Sequence, residues 1–487
     1  MTPRSLLASL LVLALAGCNL APDYHPPKLD VPADFKETGP WRPAQPADDL
    51  ARGAWWERFG DPRLSDLEAQ IESDNPDLAA AAARYDQARA LAGEAAADLS
   101  PQVAMTGSLS TNRQSQDRPL RGAAQPSYYG ANQLGVAAGY ELDFWGRLRN
   151  QAASGVQSAQ ASGADLATLR LGLQAELASA YFTVRGLDNQ AALLTDTVAA
   201  LEKALDLTQR LYEGKIAPGI DVDRARTQLE TARAQLSDVQ ARRSAAEHAV
   251  ALLVGKAPAE LSLSAQTGAI AAPDIPTGLP SSLLQRRPDI AAAERRVAAA
   301  NSRIGVARAA FYPSVTLGLQ SGFEGTSLNF LSLPNAMWAL GPNLYLPLFE
   351  GGRLEAQEAF AVGQFNEAAA AYRSVVLQAF REVEDNAAQR RWLSSESDSE
   401  RSAAAAAQKT LDGALLFYRQ GAGSYLDVVT AQTALLQAQM GALDVETRRV
   451  LADVGLIRAL GGGWDAADLP SPAMAAAYPP AGPDSPR

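Results

Sequence analysis

Few side chains in this sequence could do covalent or acid–base chemistry in concert. There is one cysteine, Cys18, and there are two histidines, His25 and His248, in 487 residues. Thiolate or imidazole metal sites, cysteine nucleophile pairs and disulfide frameworks therefore lack their atoms. No Gly-x-Ser-x-Gly elbow and no His-Glu-x-x-His occurs, and Gly255-Lys256 runs into Ala257 where a phosphate loop needs Ser or Thr. His248 beside Glu247 reads as an ordinary helical residue. The chain is expected to be no enzyme and to bind no metal or cofactor.

The one distinctive reactive group is the Cys18 thiol. Arg4 precedes an apolar run from Leu6 to Ala16, which closes as Leu15-Ala16-Gly17-Cys18. That is a signal peptide over residues 1–17, too short to span a bilayer, ending in the lipobox of bacterial lipoproteins. Cys18 is expected to become the acylated first residue. Several acyl chains, at about 0.8 kcal/mol per buried methylene, make a stable membrane anchor. By resemblance to sorted lipoproteins, Asn19 rather than Asp at the next position points to the outer membrane. No apolar stretch of about 18 residues follows Cys18, so any crossing of the bilayer has to use strands.

Composition narrows the field further. With 47% hydrophobic and 20% charged residues the chain can bury a core, and 54 acids against 43 bases give a net charge of −11, which argues against nucleic acid as a partner. No Pro/Gly/Ser linker divides the interior into separate globules.

The chain is written twice. Asn75-Pro76-Asp77-Leu78 returns as Arg287-Pro288-Asp289-Ile290, and Leu99-Ser100-Pro101 as Phe311-Tyr312-Pro313, both 212 positions on. Further along the shift is 206: Gly146-Arg147-Leu148 returns as Gly352-Arg353-Leu354, Asp221-Val222 as Asp427-Val428, and Val254-Gly255 as Leu460-Gly461. Constant offsets over many landmarks indicate an internal duplication, with one repeat over residues 62–274 and the other over 275–464.

Each repeat opens with a helix, Asn75 standing as cap before Pro76 at the first helical position. The period then changes. Val103, Met105, Gly107 and Leu109 alternate with polar or small residues, and so do Leu134, Val136, Ala138, Tyr140 and Leu142, a hairpin of strands around a polar loop near 111–127. Val315, Leu317 and Leu319, then Trp338, Leu340, Leu344, Leu346 and Leu348, repeat it. Glu141 and Asp143 read as a solvated strand end. From Arg147 to Tyr212 and from Arg353 to Tyr418 no proline occurs, and such runs held as helix reach about 100 Å. Leu166, Leu169, Leu173, Leu177, Val184 and Leu187 recur near the spacing of a coiled-coil seam. Breaks at 214–219 and 420–424 turn each helix back into an antiparallel partner. Residues 18–61, rich in proline, read as an extended arm, and 465–487 as a flexible tail, disordered or loosely wrapped.

Four strands apolar on one face match outer-membrane barrel strands, yet four cannot close. An open edge in lipid strands backbone groups at several kcal/mol each, so copies of the chain have to pool their strands.

On these features the chain resembles the outer-membrane efflux lipoproteins of the TolC, OprM and NodT type over nearly all of its mature length. The carrying residues are the lipobox, Trp55-Trp56-Glu57-Arg58-Phe59-Gly60-Asp61-Pro62 with Leu64 and Leu67, the duplicated unit, the turns Tyr212-Glu213-Gly214-Lys215 and Tyr418-Arg419-Gln420-Gly421, and Leu460-Gly461-Gly462-Gly463-Trp464. The resemblance implies a mainly α fold with membrane β: a homotrimer whose twelve strands form one β-barrel continuous with a long periplasmic α-helical barrel. It implies a passive exit duct for small molecules such as drugs, handed over by a periplasmic adaptor and an inner-membrane transporter. It places adaptor docking at the turn tips, Tyr212, Gly214, Arg419 and Gly421. Matched position by position, Tyr418 and Asp221 correspond to a hydrogen-bonded pair that ties helical hairpins shut, Asp427 to an acidic ring at the aperture, and Leu426 to an apolar constriction there. Where some relatives carry a locking arginine or a further aspartate, this chain has Gly423 and Thr430, which implies a looser gate. Helix capping and helix packing are the competing readings of Asp221, Asp427 and Leu426. The alternatives to small-molecule efflux are a type I protein-secretion duct and a periplasmic coiled-coil lipoprotein that never crosses the membrane.

Overall fold

The computed structural model describes residues 19–30, 32, 35–37, 54–115, 126–271, 273, 275 and 286–477. Cys18 and the expected signal peptide lie outside them. A short helix Pro62–Asp74 (α1) and Pro76–Ala97 (α2) lead into strands Gln102–Arg113 (β1) and Tyr128–Glu141 (β2). The long helix Arg147–Glu213 (α3) and its return Gly219–Leu253 (α4) complete the first repeat. Pro288–Ala309 (α5), Ser314–Gly325 (β3), Ala336–Tyr345 (β4), Arg353–Arg419 (α6) and Tyr425–Ala459 (α7) form the second, and Pro472–Ala476 (α8) lies in the carboxy-terminal segment. The long helices are 67 residues each, about 100 Å, and their returns 35 residues each.

Local chemistry sets the boundaries. Asp61 accepts from the amides of Arg63 (3.1 Å) and Leu64 (3.4 Å) to cap α1, and Asn75 accepts from Leu78 N–H at 2.9 Å to cap α2, each with proline at the next position. The helix ends are equivalent in the two repeats. Asn75 donates through Nδ2 to the Leu253 carbonyl (2.7 Å) at the end of α4, and in the equivalent place Arg287 donates to the Ala459 carbonyl (3.0 Å) at the end of α7. Just beyond, Gly255 and Gly461 have φ of +71° and +94°. A Cβ would stand 2.1 Å from the Asp74 carbonyl oxygen at the first and 1.9 Å from that of Arg286 at the second, so only glycine lets the chain close there.

The four strands form one antiparallel sheet in the order β1-β2-β3-β4. Its register sets Met105 opposite Val136, Val136 opposite Ser321 and Ser321 opposite Trp338, with Val103, Ala138, Leu319 and Leu340 as the next row of the same face. Val103, Met105, Leu109, Trp338, Leu340 and Leu344 on this face are exposed. The ladder runs further than the apolar alternation does. Thr111, Asn112 and Arg113, expected in the polar loop, pair with Gly130, Tyr129 and Tyr128. Ladder hydrogen bonds come from the backbone and are indifferent to side-chain polarity.

Between sheet and helices the chain is clamped rather than frayed. Glu141, read as a solvated strand end, accepts from Arg147 Nε (2.8 Å) and Nη2 (2.6 Å). Asp143 accepts from the amides of Leu148 (3.1 Å) and Arg149 (2.9 Å), capping α3. Trp145 stacks on Tyr312 with centroids 4.7 Å apart and donates to the Pro313 carbonyl at 2.8 Å. Such two-part clamps hold the strands in line with the helices.

Helix α3 is the spine. It packs on α2, α4, α5 and α7, while α6 packs on α5 and α7. The largest buried cluster sits at its middle, where Trp55, Phe59, Leu64, Leu177, Phe182 and Leu456 meet. The expected seam residues Leu173, Leu177, Val184 and Leu187 are all buried there or just below. Of the expected tail, the described part is wrapped onto the helices: Ala475 is fully buried, Gln160 donates to the Pro470 carbonyl (2.9 Å) and Arg89 to that of Ala477 (2.7 Å), so residues 465–477 are docked, and 478–487 lie outside the described residues. Small residues on α2 and α3, Ala88, Ala92, Val156 and Ala159, make room for it.

Candidate functional site

The two helical turns end the molecule opposite the sheet. In the second, Gly421 adopts φ +72° and the Ala422 amide donates to the Phe417 carbonyl at 2.9 Å, a left-handed helix stop of the Schellman kind. In the first, Ile216 N–H donates to the Leu211 carbonyl at 2.8 Å in the same pattern, but the left-handed residue is Lys215 (φ +56°). Gly214 has φ −74° and closes the helix by its amide alone. Tyr212 is half exposed and lies over Gly219, where a Cβ would stand 3.2 Å from its ring. Arg419 is the last residue of α6.

The residues expected at the aperture are not alike in the two repeats. Asp221 is buried in the first turn of α4 and accepts from Arg224 Nη1 at 3.2 Å. Tyr418 tilts against Tyr425 with ring centroids 5.3 Å apart, in an apolar cluster with Ala225, Val428 and Leu415. Burial first, and the nearby Asp221 carboxylate second, push the Tyr418 hydroxyl above its ordinary range. Among the described residues the carboxylate of Asp221 is bonded by Arg224 rather than by Tyr418. Asp427 is exposed and accepts from Ser424 N–H (3.2 Å), while Ser424 Oγ accepts from Leu426 N–H (3.1 Å), a capping pair at the start of α7. Leu426 is half exposed, and Thr430 turns its hydroxyl back to the Leu426 carbonyl at 2.9 Å. Gly423 lies under Phe417 and Tyr418, where a Cβ would come within 3.1 Å of the Phe417 Cβ.

A polar belt at the waist joins the elements that carry these turns. Asp61 accepts from Tyr181 Oη (2.8 Å) and Arg185 Nη1 (2.7 Å), and burial together with that carboxylate pushes the Tyr181 hydroxyl up to about 12. Arg243 binds Asp188 (2.6 Å), Glu247 (2.6 Å) and the Leu263 carbonyl (2.5 Å). In the second repeat Arg287 bridges Asp289 (2.7 Å) and Glu382 (2.9 Å). In this belt Asp61, Asp188, Asp289 and Glu382 each face a guanidinium.

The sequence matches the family model described as outer membrane efflux protein over residues 67–256 and again over 279–462, one match for each repeat. The chain belongs to the outer membrane efflux protein family. Among its relatives, the probable efflux pump outer membrane protein TtgC of Pseudomonas putida is 33% identical over 467 residues, 95% of this chain and 96% of that one. The cation efflux system protein CusC of Escherichia coli is 30% identical over 472 residues, 95% of this chain and all of that one. A solved structure of the outer-membrane channel OprN superposes with a TM-score of 0.85 at 30% identity, covering 92% of this chain and 100% of the other. The open-state MtrE channel of Neisseria gonorrhoeae gives 0.81 at 26% identity, covering 92% and 99%.

An outer membrane efflux protein is a channel whose sheet lies in the bilayer and whose helices reach into the periplasm. Its amino-terminal arm is laid along those helices. Asn19 Oδ1 accepts from Asn150 Nδ2 (2.8 Å), the Pro22 carbonyl from Asn301 Nδ2 (2.8 Å), and Tyr24 donates to Glu294 at 2.5 Å. The amides of Lys36 and Glu37 donate to Glu384 (2.6 and 2.9 Å). Asp61 and Arg287 stood out in the sequence only as motif members, and Tyr181 and Arg185 not at all, because Asp61 meets the latter two 120 and 124 positions on; the one signal available for Arg185 was a charged residue inside an otherwise apolar helical stripe.

Proposed function

We propose that three copies close into one tube, twelve strands in the outer membrane above a helical barrel, and that this tube is the exit duct of a tripartite pump for small molecules. The observation that carries it is the sheet: β1 and β4 are both edges, their outward residues are apolar and exposed, and each strand is joined to a helix of the packed layer. Lipid offers no hydrogen bonds to such edges, and a ring of strands removes them. Four strands per copy and a floor of about eight per barrel require several copies. Acyl chains on Cys18 hold the arm at the membrane, and the docked residues after Asn19 fix where they enter it.

The helical tip, with Tyr212, Gly214, Arg419 and Gly421, meets the periplasmic adaptor, which links the duct to the inner-membrane transporter. Asp221, Tyr418, Leu426 and Asp427 line the closure there. The geometry supports a weak lock, because Asp221 has Arg224 as an alternative partner and Asp427 is engaged in capping. The relatives are named for toluene, antibiotics, cations and pyoverdine. So varied a set over one scaffold supports a duct that does not select its cargo.

Light scattering on the acylated protein in detergent tests the assembly. A mass of three chains is expected; a monodisperse single chain overturns the proposal.

A further inference from the structure

Above its apolar band the sheet changes character. On the outward face of β1, Val103, Met105 and Leu109 are followed by Thr111 and then by Arg113, about 13 Å beyond Leu109 along the strand. That end of the sheet is the one farthest from the helices, so Arg113 stands at the outer leaflet. Its partner across the ladder is Tyr128, and its guanidinium carbon lies 5.5 Å from the centre of that ring. A guanidinium steadied against an aromatic ring keeps its N–H groups for a ligand. Among the described residues Arg113 forms no ion pair.

The loop between β3 and β4 comes down beside it. Phe330 is buried against Gly325, where a Cβ would stand 2.8 Å from the Phe330 Cβ. Gly325 pairs with Asn132 and Asn132 with Leu109, so the three form one outward row. Asn132 is buried as well, its Nδ2 donating to the Ser327 carbonyl at 3.1 Å. The loop is therefore folded over the outward face of the sheet and not across the mouth. Its other apolar residues, Leu328, Leu331 and Leu333, are exposed, Leu333 at 87%. They extend upward the exposed belt of Leu109, Trp338 and Leu340. Leucines bare in water forgo their apolar gain, whereas acyl chains cover them.

We propose that this surface seats a phosphate-bearing lipid of the outer leaflet, one to each copy, with acyl chains along Leu328, Leu331 and Leu333 and phosphate on the Arg113 guanidinium. The occupant follows from continuity with the belt that faces acyl chains, and from charge, since guanidinium and phosphate make paired N–H to oxygen bonds. The proposal rests on the barrel proposed above, because only a closed sheet set in lipid brings this face against the outer leaflet.

Native mass spectrometry on the full acylated protein tests it, with lipid A as the probe, once with its phosphates and once dephosphorylated. Trimers should retain the phosphorylated form, up to one per copy, about tenfold more than the dephosphorylated one, and Arg113→Gln should abolish that difference. Leu328→Ser/Leu331→Ser/Leu333→Ser should lower retention of both forms. Excess inorganic phosphate should leave the lipid in place; displacement by it would make this a plain anion site and overturn the lipid seat. Trimers that hold both forms equally, keep their preference in Arg113→Gln, or retain as much lipid without the leucines also overturn the seat and leave the barrel standing. Monomers throughout overturn both.

Discussion

Glu68 lies on α1 with no exposure, and neither carboxylate oxygen has a hydrogen-bond partner among the described residues. Burial, with the nearby Glu72 charge behind it, pushes its carboxyl up to about 9, so the folded chain holds it neutral at pH 7. Because the folded value lies above the unfolded one, this group's contribution is intact below about pH 4.5 and is lost as pH rises toward 9. Glu68→Gln should therefore flatten the fall in melting temperature over that window and raise stability at pH 8 by on the order of a few kcal/mol. Circular dichroism melts of both proteins across pH 5–9 check it; parallel curves would contradict it. Asp61 is the opposite case, a buried carboxylate held by Arg185 and Tyr181. Arg185→Ala leaves it without its charge partner and should cost ~3–5 kcal/mol in the same melts. At the proposed lock, Tyr418→Phe with Asp221→Ala should raise open probability in planar bilayers about tenfold or more, the worth of a bond of ~1.5 kcal/mol or more to a charged acceptor between neighbouring hairpins. Equal traces for variant and parent would remove that pair from the lock. Sequence alone exposed Asp221 and Tyr418 as equivalents of known positions, yet could not show that Asp221 is buried beside Arg224 while Asp427 is exposed and capping. Burial of one charge depends on which helix the other repeat lays over it.

The elements were far more legible. Proline and asparagine at 75–76, the absence of proline over two runs, and the glycine breaks marked the helices nearly to the residue, because these signals act on local backbone. Alternation revealed four strands but shortened β1 and β2, whose outer ends are polar and pair through backbone alone. The two turns differ in which residue bears the left-handed backbone. Gly421 does supply the left-handed backbone, whereas in the first repeat Lys215 bears it and Gly214 does not. Left-handed backbone costs an ordinary residue about 1–2 kcal/mol. Lys215→Gly should accordingly stabilise the first turn by ~1 kcal/mol and Gly421→Ala destabilise the second by a similar amount, read by hydrogen exchange at the adjoining helix ends. Opposite signs are required; a shared sign would contradict the geometry. The docking of residues 465–477 escaped sequence reasoning because short proline-bounded stretches carry no periodicity, and the small-residue bed that holds them belongs to α2 and α3.

As a whole the molecule is half a solution, twice over. Two equivalent repeats lie side by side, and the second has no successor within the chain, so one strand edge and one helix face are left at each end. Duplication made this readable from the sequence: offsets of 212 and 206 recover the repeat, and a sheet too narrow to close demands more copies. What the sequence could not reveal is that the second repeat's α7 lies over the first repeat's α3, since that needs Gly186 seen against Thr447. The central claim is that identical copies complete a continuous water-filled tube, and it is tested most directly by adding the purified, acylated protein to a planar lipid bilayer. Discrete, uniform current steps are predicted from the trimeric fraction. A trimeric preparation that inserts into the bilayer and passes no current, even after loss of the Tyr418 and Asp221 side chains, would contradict it.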